Sequence, residues 1–191
     1  MSILDKLKRK KDENVFISLQ LNARLQPIHR FDLEDMIEEV LQENKAGEVV
    51  GGGCLCMPTG EISSCHIDFE IAGNKVDGFL TFLHQIDEIP KGSVVNVNDK
   101  TIEMGCAEGL ALYLNGTDLD IAVYRQYDIN ELIESLDNAL GDIVVITSYW
   151  EGNDVTAIYF YGEKYSKMEN VILPITKEHP LCEKCKIEQI A

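Results

Sequence analysis

The chain has 191 residues, of which 45% are hydrophobic, and its formal net charge is −16 at pH 7. This size and hydrophobic content predict a globular fold with a substantial core, and the negative charge disfavours binding to nucleic-acid phosphates or anionic membranes. No apolar run reaches the roughly 20 residues of a membrane span, and no signal peptide is recognisable at the N-terminus. We therefore expect a cytoplasmic protein without membrane insertion, whose six cysteines are free thiols.

Residues 1–13 are predicted to be a basic arm outside the fold. The segment MSILDKLKRKKD carries five lysine and arginine residues against two aspartates. So short a terminal segment is typical of a solvated tail. Its isoleucine and leucines leave a second interpretation open, a short amphipathic helix that touches a membrane or a partner protein.

Residues 14–98 predict the element order βαββαβ. From Asn14 the strand VFISLQLNARL alternates apolar and polar residues, and a helix follows Pro27. The next strand passes through three glycines at 51–53, which indicate a bulge or a close backbone contact. It turns at 58–60 and returns as the strand CHIDFEI, and an amphipathic helix and the strand VVNV complete this half.

Residues 109–191 predict the same order again. GLALYLNG is the first strand, YDINELIESL the helix, and ITSYWE and VTAIYFYG a hairpin for which Gly152 and Asn153 predict a tight primed turn. A further helix, which Pro174 should kink or shorten, precedes the closing strand CKIEQIA. Residues 99–108 form the predicted linker, in which TIEM could add a short strand.

Both halves resemble the ferredoxin-like fold, so the predicted class is α+β, with two βαββαβ repeats whose antiparallel sheets carry helices on one face. The resemblance implies no particular function. The first strand-to-helix connection, NARLQPIHR, lacks the glycine-rich loop of acylphosphatases and the Cys-x-x-Cys of metallochaperones of this fold. Tyr113 and Tyr159 occupy strand positions where RNA-recognition domains carry aromatics, but the accompanying basic residues are missing.

The first helix of each half repeats one pattern, FDLEDMIEEVL and then YDINELIESL. In each copy an aspartate, Asp32 or Asp128, stands where an N-cap would accept backbone N–H groups, and an acid follows three residues later. The preceding aromatic, Phe31 or Tyr127, is placed to pack onto an apolar residue in the first turn. The pattern predicts two equivalent helix starts.

The helix-free face of the second sheet is predicted to be apolar. Strand alternation places Tyr113, Trp150 and Tyr159 on this face. A sheet that is apolar on both sides is normally covered on both sides. We expect these three residues to form a contact surface for the other half, a second subunit, a partner protein or an apolar ligand.

The helix-free face of the first sheet is polar and offers an alternative site, formed by Arg24, His29, His66, Asp68 and Glu70. A small hydrolase could use these groups, although no motif for a nucleophile accompanies them. Three of them alternate along one strand, but residues two apart are about 7 Å apart along the backbone, which is awkward for a single ion. We therefore predict no metal and no cofactor.

The cysteines are predicted to be free and mostly unreactive, because most of them should be buried. A hairpin that turns near residue 59 sets Cys54 opposite Cys65 and directs both, with Cys56, towards the helices. Cys182 and Cys185 have the spacing of a zinc or redox pair, but they follow a helix C-terminus, where the helix dipole disfavours a thiolate.

Together these features favour a non-enzymatic cytoplasmic binding or interaction protein. Its acidity fits an inhibitor or immunity-type partner of a basic protein, and its apolar second-sheet face fits a protein partner or a homo-oligomer. Two alternatives stay open: a small hydrolase, and a regulatory domain pair that senses a small ligand between the halves.

Overall fold

The structure is a computed structural model that describes residues 13–191, so the predicted basic arm lies outside the described residues apart from Glu13. Two antiparallel sheets, each with helices on one face, account for the described chain. Among these residues no helix has the length and apolar content that crossing a membrane would require.

From Asn14 to Met104 the first half contains seven α-helices and strands. They are β1 (Asn14–Leu21), α1 (Pro27–Glu43), β2 (Gly47–Cys56), β3 (Ile62–Ala72), α2 (Val76–Leu83), β4 (Ser93–Val97) and β5 (Lys100–Met104). The sheet order is β2-β3-β1-β4-β5. β5 comes from the predicted linker and pairs with β4, because Asn98 adopts a positive φ of 52° and allows a tight turn.

Besides two short 3-10 helices at Gly141–Ile143 and Pro180–Cys182, the second half also contains seven α-helices and strands. They are β6 (Glu108–Asn115), α3 (Ile121–Gln126), α4 (Ile129–Leu140), β7 (Val144–Glu151), β8 (Val155–Gly162), α5 (Tyr165–Glu178) and β9 (Lys186–Gln189). The sheet order, β7-β8-β6-β9, matches that of the first four strands of the first sheet. The predicted α+β class with two ferredoxin-like βαββαβ halves is confirmed, and α3 is an addition that the sequence pattern did not indicate.

The hairpin between β7 and β8 forms as predicted, but its turn is longer. Glu151 pairs with Thr156, and the N–H of Gly152 donates to the carbonyl of Val155 at 2.9 Å. Neither Gly152 nor Asn153 has the positive φ that a primed two-residue turn requires. The prediction of a tight primed turn is therefore wrong.

The two helix starts differ, although their sequences match. Asp128 caps α4, and its carboxylate accepts the N–H of Asn130 at 2.8 Å. Asp32 lies inside α1, because Pro27 occupies the first helical turn and Gln26 is the N-cap. The predicted cap at Asp32 is wrong, and Phe31 is 48% exposed instead of packing onto the first turn.

The glycines of β2 allow α1 to approach the sheet closely. The register shifts between Val49 and Gly51, and a Cβ on Gly52 would lie 2.7 Å from a backbone oxygen of β3 and 3.2 Å from Arg30. Both expected features, a bulge and a close contact, are present. A second shift between Leu55 and Cys56 leaves Cys56 exposed, so its predicted burial is wrong.

Candidate functional site

The helix-free face of the second sheet packs against the first half of the same chain. Tyr159, Tyr161, Ala111 and Ala157 are at most 1% exposed, and they belong to the buried cluster that also holds the core of the first half. Trp150 is half-buried at the border of that cluster. The sequence predicted that this face would be covered by the other half, a second subunit, a partner protein or an apolar ligand. In this structure the other half covers it.

The contact is made by the connection between β1 and α1. The N–H of Arg24 donates to the Tyr161 hydroxyl at 2.7 Å, and the Ser148 hydroxyl donates to the Arg24 carbonyl at 3.0 Å. The Gln26 amide donates to the carbonyl of Tyr149 at 2.6 Å. Buried backbone groups need hydrogen-bond partners. The second sheet provides these partners to the connection in place of water.

Side chains from both halves form a polar cluster around Glu61, which is 8% exposed. The Glu61 carboxylate pairs with the guanidinium of Arg24 and accepts the hydroxyls of Tyr159 at 2.7 Å and Tyr113 at 3.1 Å. Arg24 also donates to Tyr113 and lies 5.5 Å from the ring centre of Tyr159. We call Arg24, Glu61, Tyr113 and Tyr159 the tyrosine cluster.

Burial keeps the tyrosines of this region protonated. It raises the pKa of Tyr113 to about 12, and the neighbouring Glu61 adds to the increase. Burial likewise raises the pKa values of Tyr159 and Tyr161. At neutral pH the Tyr113 and Tyr159 hydroxyls therefore act as hydrogen-bond donors to the one carboxylate, and the cluster joins the two halves.

The five residues of the predicted polar site fall in two separate places. Arg24 and His29 face the second half, where Ser148 contacts both; its Oγ lies 3.0 Å from His29 Nδ1. His66, Asp68 and Glu70 alternate along β3 on the helix-free face of the first sheet. Their contacts are local, with 3.7 Å between His66 Nε2 and an Asp68 oxygen. The small-hydrolase alternative stays a prediction, and the described residues do not gather its groups together.

Sequence reasoning missed three members of the contact between the halves: Glu61, Ser148 and Tyr161. Tyr161 could have been found, since it lies two residues after Tyr159 and alternation places both on one face. Glu61 lies just before β3, beyond the reach of a strand pattern. Only the packing of the halves gives it a role.

An open groove of about 620 Å³ borders the tyrosine cluster, and Arg24, Tyr113, Lys184 and Lys186 are among the residues that line it. Both lysines have partners among the residues around the groove. Lys184 donates to the carbonyl of Asp118 at 2.9 Å, and Lys186 pairs with Glu188. Within residues 13–191 no group of three or more potential metal ligands occurs.

A second surface of distinct chemistry lies on α1. The helix carries six acidic residues, Asp32, Glu34, Asp35, Glu38, Glu39 and Glu43. Among the described residues its one ion pair joins Glu34 to the buried Arg30. Large apolar side chains are exposed beside the acids: Ile28 at 66%, Phe31 at 48% and, on the neighbouring β7, Tyr149 at 45%. The ring of Tyr149 lies edge-on to His29 of α1, 5.2 Å between centres.

No protein-family model and no curated protein matches the chain. Among solved structures, 95% of the chain is similar to 95% of a protein from Bacteroides thetaiotaomicron, at 11% identity and a TM-score of 0.29. The first two RRM domains of the yeast poly(U)-binding protein align over 99% of their length with 92% of this chain, at 11% identity and a TM-score of 0.26. A chlorite dismutase variant from Candidatus Nitrospira defluvii aligns over 94% of its length with 97% of this chain, at 10% identity and a TM-score of 0.30. Scores this low carry no argument about function, and the fold assignment rests on the strand order.

Proposed function

We propose that the protein is a non-enzymatic interaction protein that binds a basic segment of a partner protein. The proposed contact is formed by Ile28, Phe31, Asp32, Asp35 and Tyr149, which we call the α1 surface. The observation that carries the proposal is the coincidence, at one end of α1, of exposed large apolar side chains and carboxylates that no described cation neutralises.

The spacing along α1 gives the surface its shape. Ile28, Phe31, Asp32 and Asp35 follow one another at intervals of three, one and three residues, so they share one side of the helix. The apolar pair lies at the N-terminal end and the acids continue from it. A partner that presents lysine or arginine beside an apolar residue would match both parts, because interfaces combine an apolar centre with a charged rim.

The helix-free face of the second sheet is a less suitable place for a protein partner or a homo-oligomer. Tyr159 and Tyr161 are almost completely buried there against the first half. A partner would have to separate the halves and break the tyrosine cluster before it reached them. The α1 surface is already exposed, and the contact between α1 and β7 holds Tyr149 beside it.

A synthetic amphipathic peptide of lysine and leucine tests the proposal, with its affinity measured by fluorescence polarisation at low and high salt. Phe31→Ser should weaken binding about tenfold, as expected for loss of an aromatic anchor. The double variant Asp32→Asn and Asp35→Asn should weaken binding several-fold at low salt and less at high salt, because salt screens surface charges.

Matched variants in the second half are the controls. Glu131→Gln with Glu134→Gln removes the same charge from exposed positions of α4, and Ile121→Ser removes an exposed apolar side chain. Both controls should bind the peptide like the unaltered protein. Equal weakening by the α1 and α4 charge variants would mean that the peptide responds only to net charge, and the proposal would be wrong.

A further inference from the structure

Cys54 and Cys65 lie directly opposite each other on β2 and β3. Their sulfur atoms are 3.4 Å apart. Opposite residues of an antiparallel pair have Cα atoms about 4.5–5.5 Å apart, which is within the range of about 4.4–6.8 Å seen in disulfides. The backbone therefore already has the spacing that a bond between the two sulfurs needs.

The surroundings of the two thiols are unequal. Cys54 is half-buried, and its sulfur lies 3.4 Å from Nη1 of the buried Arg30. This contact places a positive charge beside the Cys54 sulfur, and cysteine reacts with oxidants as the thiolate. Cys65 is 2% exposed, and burial, followed by the contact with Cys54, raises its pKa to about 12. Cys54 is thus placed to react first and Cys65 to react with the product.

We propose that Cys54 and Cys65 form a reversible oxidation site that reacts with hydrogen peroxide to give a cross-strand disulfide. The Cys54 thiolate attacks one peroxide oxygen, the O–O bond breaks, and Cys54 becomes a sulfenic acid while the departing hydroxide takes a proton to form water. The Cys65 sulfur then attacks the Cys54 sulfur. The S–O bond breaks, and the released hydroxide takes the Cys65 proton to form a second water. Two thiols are oxidised and one peroxide is reduced to two waters.

The disulfide would alter the contact between the halves. In the reduced protein the Cys65 thiol donates to the carbonyl of Leu25 at 3.0 Å, and Cys54 does so at 3.4 Å. Leu25 directly follows Arg24, whose backbone N–H and carbonyl are both hydrogen-bonded to side chains of the second sheet. Oxidation removes both S–H donors and draws the sulfurs to about 2.05 Å. The Leu25 carbonyl then lacks these partners, next to the tyrosine cluster.

The other cysteines serve as internal controls. Cys56 and Cys106 are exposed and have no described cysteine opposite them. Cys182 and Cys185 lie near each other, but burial raises the pKa of both thiols. The structure therefore singles out the Cys54–Cys65 pair for peroxide chemistry among the described thiols.

The test exposes the full chain to hydrogen peroxide and maps cysteines by mass spectrometry of non-reduced digests. The expected product is a Cys54–Cys65 linked peptide, lighter by two hydrogens and restored by dithiothreitol. In Cys65→Ser, dimedone should trap a sulfenic acid on Cys54. In Cys54→Ser, Cys65 should stay reduced, and Cys185→Ser should leave the linked product unchanged.

Two outcomes would overturn the proposal. One is that Cys56 or Cys106 is oxidised while Cys54 and Cys65 remain reduced. The other is that Cys65 in the Cys54→Ser variant is oxidised as fast as in the unaltered protein. Circular dichroism of each variant before treatment separates these outcomes from loss of folding.

Discussion

The two copies of the repeat build the same fold and use it differently. In the first copy α1 begins at Pro27, so Asp32 lies inside the helix and Phe31 is exposed. In the second copy Tyr127 is extended, with φ −115° and ψ 132°, and Asp128 caps α4. The difference shows that the capping pattern produces a cap where the residue directly before the aspartate is extended, as Tyr127 is, and not where that residue is already helical, as Phe31 is. A proline at the first turn overrides it.

The helix-free faces of the two sheets also differ. The helix-free face of the first sheet carries polar residues such as Gln20 and Asp68 and stays uncovered by the described chain, whereas that of the second carries Tyr159 and Tyr161 and is buried. The first copy therefore supplies the connection and Glu61, and the second supplies the face that receives them.

Among the substitutions that test this difference between the copies, Tyr159→Ala should lower the stability most. The substitution removes a buried aromatic and one donor to Glu61, so we expect the free energy of unfolding to fall by about 4 kcal/mol. Trp150→Ala, on the same face but half-buried, should cost about 2 kcal/mol. Urea denaturation followed by circular dichroism gives both values.

Gln20→Ala is the matched control on the uncovered face of the first sheet. It should change the free energy of unfolding by less than about 0.5 kcal/mol. A loss at Gln20 as large as that at Tyr159 would mean that the two faces are equally covered in solution, and the contrast between the copies would fail.

The next largest effect is expected from alkaline pH, which should weaken the contact between the second sheet and the first half. Tyrosine in an unfolded chain has a pKa near 10, whereas burial raises the pKa of Tyr113 to about 12. Below pH 10 both states keep the proton and the contribution to stability is complete. Between pH 10 and 12 the unfolded chain loses protons that the folded chain keeps, so stability falls as pH rises. Tyrosinate absorbance and circular dichroism should therefore change together.

Replacing the tyrosine sharpens that experiment. Tyr113→Phe removes the titrating hydroxyl and should make the loss of stability above pH 10 less steep, although it also removes a donor to Glu61. Titration of every tyrosine near pH 10 with the fold intact would show that the tyrosine cluster is open to solvent.

Substitutions at the starts of α1 and α4 should have the smallest effects on stability. Asp128→Ala should lower the free energy of unfolding by about 1 kcal/mol, because it removes the acceptor for the N–H of Asn130. Asp32→Ala should change it by less than about 0.5 kcal/mol, because Asp32 is exposed inside the helix. Equal losses in the two variants would contradict the assignment of different helix starts.

Local periodicity predicted much of this molecule. Alternation placed Tyr113 and Tyr159 on one face, and the turn near residue 59 set Cys54 opposite Cys65; the strand registers confirm both. Glu61 escaped prediction because its three partners are 37, 52 and 98 residues away. Such long-range pairs depend on how two complete halves meet, which no local pattern encodes. The capping pattern predicts an N-cap at Asp32, but Pro27 already begins the helix five residues earlier.

The proposed interaction with a basic segment is tested most directly by hydrogen–deuterium exchange with and without the lysine–leucine peptide. The α1 surface predicts that the peptide slows exchange in residues 27–35 and in β7, while α4 exchanges as in the free protein. Slower exchange confined to α4, or spread evenly over all acidic segments, would contradict the proposal, because α1 would then bind the peptide no better than α4 does.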